Sequence, residues 1–329
     1  MLTAVLFGWP DKLSQAYPPP LREHLRKIVH LSEREFCPAS YGGHLGTLRS
    51  TEVILGTWDL PRMDEGFLEA LPRLKAVFYA AGTIKPFATD AAFDRGIVFS
   101  SAWTANAIPV AEYTTGAILL SLRRFWQYAR QTRNSGRWDQ DLPIPGCQSK
   151  VGLISLGAVG RRVAQALRRY EVEVIAYDPL LTGPAADSLG VRPASLPELF
   201  QICDVVSIHT PWLPKTEKMI NAGLLRLMKP GATLINTSRG AVVDQDDLYD
   251  FLVQRPDVTA ILDVLHPEPP SPDLPLLSLP NVMVTPHIAG SMGPEIGRMG
   301  QLMCEELASY IGGSPLNHRI TREMLSHMA

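Results

Sequence analysis

Three residues able to bind and protonate a carbonyl compound follow three separate apolar runs. Asn236-Thr237-Ser238-Arg239-Gly240 follows residues 232–235, and Asp263 with Leu265-His266-Pro267-Glu268-Pro269 follows residues 258–262. Thr285-Pro286-His287-Ile288-Ala289-Gly290 closes the run that starts at Val282. Arg239 offers a planar, permanently charged fork that matches a carboxylate bidentately and polarises a neighbouring carbonyl. His287 is an acid that can give up a proton near neutral pH, and a nearby carboxylate such as Glu268 favours its protonated form. Each residue has a structural alternative: a helix-end arginine, a polar residue of a proline-rich loop, a satisfied core histidine. His209, which also ends an apolar run, and His266, two residues from Glu268, are competing imidazoles. His287 is preferred because a glycine follows it closely and a crossover between domains comes next, the usual place for a cleft.

A second motif lies upstream. Ser155-Leu156-Gly157-Ala158-Val159-Gly160 separates the apolar run 151–154 from a helix-period segment, 159–170. In the dinucleotide-binding pattern G-x-G-x-x-G, the second glycine admits backbone to a pyrophosphate and the third permits close helix–strand packing. Both are present as Gly157 and Gly160, while Ser155 stands at the first, turn-forming position. The amides of the following helix N-terminus attract phosphate. Asp178 ends the next apolar run, about 20 residues on, where an acid bonds ribose hydroxyls and repels a 2′-phosphate; NAD is therefore favoured over NADP. The alternative for Asp178-Pro179 is a simple turn.

The elements that must position these residues follow from periodicity. Six short apolar runs (151–154, 172–177, 204–208, 232–235, 258–262 and 282–285) alternate with helical patterns, among them 221–228 and 244–254. Asp244 can cap the latter with Asp247 three residues on. Such alternation reads as a parallel sheet covered on both faces, and ligands of open α/β sheets bind beyond the carboxyl ends of its strands. The first hundred residues alternate less regularly, with strands near 4–7, 53–55, 76–79 and 97–100. Residues 107–133 read as one long helix, and residues 294–311 as a last helix with no strand after it. The expected fold class is α/β: a Rossmann-type doubly wound parallel sheet with a second, smaller, flavodoxin-like α/β domain. Residues 1–105 and 295–329 are expected to form that discontinuous substrate-binding domain, and residues 106–294 the NAD-binding domain.

Composition narrows the function classes. The chain has 329 residues, 46% apolar and 19% charged, with 31 Lys and Arg against 33 Asp and Glu. Near-neutral balance without like-charge runs shows no footprint for nucleic acid or anionic membrane. A small molecule or a second copy of the chain is the expected partner. Cys37, Cys147, Cys203 and Cys304 lie far apart, never as C-x-x-C, so neither a metal site nor a redox pair is expected, and the thiols are expected to be reduced and buried. The apolar start, 1–7, is too short for a signal peptide and reads as a strand, which makes a cytoplasmic setting the expectation.

The stretches VGLISLGAVG, IAYDP, VVSIHTPWLPKTEKMIN, MKPGATLINTSRGAVVDQDDL, ILDVLHPEPP and NVMVTPHIAG resemble the D-isomer-specific 2-hydroxyacid dehydrogenase family over about residues 75–312. That resemblance implies an NAD-dependent interconversion of a D-2-hydroxy acid and a 2-keto acid. Arg239, Glu268 and His287 take its catalytic positions. Cofactor contacts are implied for Gly157, Ala158, Val159, Gly160, Asp178, His209, Thr210, Pro211, Thr237, Ser238, Arg239, Asp263, His287 and Gly290. A homodimer joined through the helix near 106–133 is implied too. Where the family usually carries G-V-G-V-D, whose amides hold the substrate carboxylate, this chain has Ala80-Ala81-Gly82-Thr83-Ile84-Lys85. Ala81, Gly82 and Thr83 join Arg239 and His287 as expected substrate contacts, and Lys85 reads as a solvated lysine or an added charge. Trp212 and Trp103 either shape the pocket or pack the core, and packing is the expectation. The competing function is an NAD-sensing, corepressor-like binding protein on the same fold, which would need a peptide groove.

Overall fold

The computed structural model describes residues 1–136 and 138–328, so Arg137 and Ala329, which the expected domain ranges take in, lie outside the described residues. The chain divides into two compact units, residues 1–106 with 291–329 and residues 107–290. In the first unit, β1 (Thr3–Phe7), β2 (His30–Phe36), β3 (Val53–Gly56), β4 (Ala76–Tyr79) and β5 (Val98–Ser101) pair in parallel in the order β5-β4-β3-β1-β2. This is the flavodoxin-type strand order. β3 and β4 are buried along their whole length, which is why they read as unbroken apolar runs. β2 is the sheet edge, with the polar sequence HLSEREF exposed at His30, Glu33 and Arg34, and its alternation carries no strand signal.

The second unit contains β6 (Ser149–Ile154), β7 (Val172–Tyr177), β8 (Arg192–Pro193), β9 (Val205–Ile208), β10 (Thr233–Asn236), β11 (Thr259–Leu262) and β12 (Val282–Val284). All pair in parallel, in the order β12-β11-β10-β9-β6-β7-β8. Counted from β6, this is the nucleotide-binding order with one further strand, and it reverses between β6 and β9. Apolar clusters on both sheet faces, one around Phe200, Leu234 and Leu252 and the other around Leu153, Val163 and Ile261, make the strands core on both sides.

Several expectations are corrected. A thirteenth strand, β13 (Arg319–Ile320), follows the last helix, Pro294–Ile311, and pairs antiparallel with β5. The buried Glu306 carboxylate explains it: it accepts from Ser100 Oγ at 2.8 Å and from the amides of Asn317 and His318 at 3.0 Å, drawing the tail onto the sheet. The long helix is two, Trp103–Leu122 and Phe125–Ser135, broken at Arg124, whose φ is 54°. Nothing local requires that break. The Arg124 side chain is buried and its Nε donates to Pro143 O at 3.1 Å, a contact 19 residues away. The helix expected over 221–228 covers only Ala222–Leu225. Asp244 caps Gln245–Gln254 as expected, but Asp247 turns elsewhere and accepts from the Ala222 amide at 2.8 Å. Cys203 and Cys304 are buried, whereas Cys37 is partly exposed and Cys147 exposed. Among the described residues no helix is long and apolar enough to cross a membrane.

One buried amide anchors the start of β12. Asn281 Nδ2 lies 3.1, 3.2 and 2.9 Å from the carbonyls of Leu252, Arg255 and Val258, and its two protons are shared among them. Removing it strands buried acceptors, so Asn281→Ala should lower unfolding free energy by about 2 kcal/mol in urea titration. An unshifted midpoint would refute this account of the anchor.

Candidate active site

The turn after β6 is shaped by two close approaches. Ser155 adopts φ 76°, a left-handed conformation that costs an L side chain about 1–2 kcal/mol and suits the glycine usual at this position. Its amide donates to Tyr177 O at 2.7 Å, and its hydroxyl lies 3.1 Å from Thr210 Oγ1, bridging the turn to the loop after β9. At Gly160 a Cβ would stand 2.2 Å from Ser155 O, so only glycine lets the helix Ala158–Leu167 start this close to the turn. Gly157, at the helix N-cap, makes no side-chain cap bond and faces open space. This cradle, at the reversal of strand order, fits a dinucleotide pyrophosphate, with Gly157, Ala158, Val159 and Gly160 presenting backbone. Asp178, after β7, spends one oxygen on the Leu156 amide and the other on Leu180 N, both at 2.7 Å. It therefore shapes the turn, and its remaining lone pairs stay available for hydroxyls.

After β9 come His209, Thr210 and Pro211. His209 Nε2 lies 3.1 Å from Ser207 Oγ, and burial pushes the imidazole down to about 4, so it is neutral near pH 7. Trp212 is 43% exposed and its ring meets His266 edge-on at 4.9 Å between centroids. It rims the strand ends instead of packing in the core, a correction to the packing expectation. His266 binds Gln245 through its backbone, its amide donating to Gln245 Oε1 at 3.1 Å.

The loop after β10 is held by Asn236. Its Oδ1 accepts from Ser238 N at 3.0 Å and Ser238 Oγ at 2.9 Å, and its Nδ2 donates to Arg239 O at 2.9 Å. Sequence reasoning gave Asn236 no role, although an Asn two residues before a turn amide is an Asx-turn signal. Gly240 lets this loop nest on the next one, since a Cβ there would lie 2.0 Å from the Leu265 carbonyl carbon. Arg239 is thereby brought near Glu268. Its Nη1 donates to Ser238 O at 2.6 Å; burial lowers the guanidinium pKa while the Glu268 charge opposes that shift.

Glu268 lies between two X-Pro bonds that are both cis, His266-Pro267 and Glu268-Pro269. Oε2 lies 2.9 Å from His287 Nδ1, and Oε1 accepts from Leu265 N at 3.3 Å. Burial would raise the Glu268 pKa, but the His287 hydrogen bond and charge, the Leu265 amide and the Arg239 charge together hold it below the usual carboxylate range. His287 adopts φ 55°. Asp263, 1% exposed, holds that loop: its carboxylate accepts from Thr285 Oγ1 at 2.7 Å, Ile288 N at 2.8 Å and Ala289 N at 3.0 Å. Asp263 is thus committed to the loop backbone, and Gly290 ends the loop at the unit boundary. Thr285, one residue beyond β12, carried no signal in the sequence beyond its place at a strand end.

In the first unit, Ala81, Gly82 and Thr83 follow β4. Ser101 Oγ reaches Ala81 O at 3.0 Å and also Gly82 O, its single proton shared between the two loop carbonyls. Thr83 Oγ1 accepts from Lys85 N at 3.3 Å.

Residues 115–289 match the family model of the D-isomer specific 2-hydroxyacid dehydrogenase NAD binding domain. The D-3-phosphoglycerate dehydrogenase of Archaeoglobus fulgidus is 32% identical over 261 residues, 79% of this chain and 49% of that protein. The chain spans about half the length of the curated relatives it matches. Among solved structures, the D-lactate dehydrogenase of Aquifex aeolicus complexed with NAD and lactic acid is 25% identical, with TM-score 0.74 over 94% of this chain and 96% of that one. A glyoxylate reductase from Paecilomyes thermophila, 23% identical, has the same fold at TM-score 0.79, covering 98% and 99% of the two chains. With an NAD-binding domain on this fold, the chain belongs to the D-isomer specific 2-hydroxyacid dehydrogenase family.

Proposed function

We propose that the protein interconverts a D-2-hydroxy acid and its 2-keto acid with NAD(H), with Arg239, Glu268 and His287 as its catalytic residues. The observation that carries this reading is the 2.9 Å contact between His287 Nδ1 and Glu268 Oε2, beside Arg239 at the carboxyl ends of three neighbouring strands. When bound, the dinucleotide supplies the hydride chemistry. The turn 157–160 and Asp178 would hold its pyrophosphate and ribose, with His209, Thr210, Pro211, Thr237, Ser238 and Asp263 along the same edge. Arg239 binds the substrate carboxylate and polarises the adjacent carbonyl. Engagement of Nδ1 by Glu268 leaves His287 Nε2 for the substrate oxygen, to which it gives a proton in reduction and from which it takes one in oxidation. His209, held neutral by burial, is poorly suited to that task. A cytoplasmic homodimer joined through the helix Trp103–Leu122 is part of the same reading, and light scattering tests the dimer.

His287→Ala should reduce turnover of keto acids by about 10²–10⁴-fold, the worth of a positioned acid or base. Arg239→Ala should weaken kcat and KM together, because the cation acts in ground and transition states. Steady-state assays across glyoxylate, hydroxypyruvate, pyruvate and branched or phosphorylated keto acids test both, and full activity of either variant would end its assignment.

Glu268 sets a pH dependence with a definite sign. Its folded-state pKa is depressed, so its carboxylate is fully ionised above the ordinary carboxylate range and becomes protonated only as pH falls through the lowered value. Glu268→Gln keeps a hydrogen-bonding group but removes the titrating carboxylate, so the acid-side loss of turnover that comes from protonating Glu268 should be absent from its pH–rate profile. Superimposable pH–rate profiles would exclude this tuning role.

Gly160→Ala places a methyl against Ser155 O, so it should weaken NADH binding about tenfold or more and cost about 1–3 kcal/mol of stability. Fluorescence titration with NADH measures the first effect, and unchanged affinity would argue against the cradle.

A further inference from the structure

Within the helix Trp103–Leu122, the hydroxyls of Tyr113, Thr114, Thr115 and Ser121 have two different fates. Thr115 and Ser121 bond back to their own helix, to the carbonyls of Ala111 and Ala117, both at 2.7 Å. Tyr113 and Thr114 reach out of it. Tyr113 Oη lies 3.1 Å from Thr285 Oγ1, and Thr114 Oγ1 lies 2.9 Å from Thr237 Oγ1, the latter pair buried. The first contact has a direction. Thr285 spends its only hydroxyl proton on Asp263 Oδ1 at 2.7 Å, so Tyr113 must donate to Thr285.

The partners occupy equivalent places. Thr237 is one residue beyond β10 and two before Arg239; Thr285 is one residue beyond β12 and two before His287. β10 and β12 are not neighbours, since β11 lies between them and its following loop carries Glu268. Sheet hydrogen bonds therefore link the two strand ends only through a third strand, and both loops leave the sheet before the site residues are reached. Adjacent residues of one helix span the gap directly.

We propose that Tyr113 and Thr114 are positioning residues that fix the arginine loop and the histidine loop of the site relative to each other, Thr114 through Thr237 and Tyr113 through Thr285 and Asp263. This rests on the dehydrogenase reading for its kinetic consequence but not for its structural one. Arg239 and His287 must address the carboxylate and the carbonyl oxygen of one small substrate, and a displacement of a fraction of an ångström between them is costly.

The test uses the full chain with Tyr113→Phe, Thr114→Val and the hydroxyl-retaining Thr114→Ser, read by hydrogen–deuterium exchange and by steady-state kinetics. Tyr113→Phe should speed amide exchange over 284–290, and Thr114→Val over 236–240. Each should lower kcat/KM for the keto acid about tenfold, and Thr114→Ser should restore both readouts. Unchanged exchange in these loops overturns the proposal, as does faster exchange with unaltered kcat/KM. Equal damage from Thr114→Ser and Thr114→Val would show a packing role and overturn it too. An unaltered protein that turns over no keto acid would instead overturn the dehydrogenase reading, and the exchange data would still decide the two tethers.

Discussion

The site depends on one buried carboxylate. Asp263 is taken out of water at the end of β11, and a charge so placed must find donors or give up its ionisation. The donors it finds are a threonine hydroxyl and two amides of the segment after β12, at 2.7–3.0 Å. Satisfying Asp263 and turning the chain at His287 are therefore one event. The left-handed backbone of His287, a conformation that costs about 1–3 kcal/mol, persists because those bonds over-determine it. Among the described residues, the imidazole's hydrogen-bond partner is then Glu268.

The arginine loop repeats the device with a neutral side chain. Asn236 uses both ends of its amide on the loop that follows it, and Gly240 removes the Cβ that would keep this loop from the next. The nucleotide turn uses both means, with Asp178 accepting the Leu156 amide and Gly160 lying under Ser155 O. In each case a polar residue at or just past a strand end captures backbone donors of its own or a neighbouring turn. The parallel sheet makes this possible, because every strand of the second unit delivers its turn to the same edge. One departure from the family pattern is absorbed locally: Ser155 keeps the conformation of a turn glycine and gains a hydroxyl partner in Thr210.

Several of these features could be read before any fold was known. The runs of the second unit are strands whose apolar residues pack on both faces, fully buried in β9, β10 and β11 and partly buried in the edge strand β12, and packing on both faces writes an unbroken apolar run. The strands near 4–7, 53–55, 76–79 and 97–100 were equally visible. The polar edge strand His30–Phe36 and the two-residue β13 were not, since an edge strand needs no alternation and β13 exists through Glu306. Arg124 breaks a helix that local propensity would have continued, because its side chain is held by Pro143.

By itself, then, the sequence determined what arises within a strand, a turn and the helix that follows: the α/β class, the glycine cradle at 157–160, the acid at 178, and a cation, carboxylate and imidazole each placed just past a strand. Its family membership rests on the same local stretches. The sequence preferred His287 over His209 and His266, and tertiary structure supplied the contact itself, setting His287 Nδ1 against Glu268 while His209 meets Ser207 and His266 meets Trp212. Tertiary structure also decided where the long helix breaks, how the tail returns to the sheet, and which side chains hold the loops. The physical reason is range. Periodicity and turn chemistry act over a few residues, whereas burial and hydrogen-bond partners at Asp263, Glu306 and Arg124 come from chain far away in sequence.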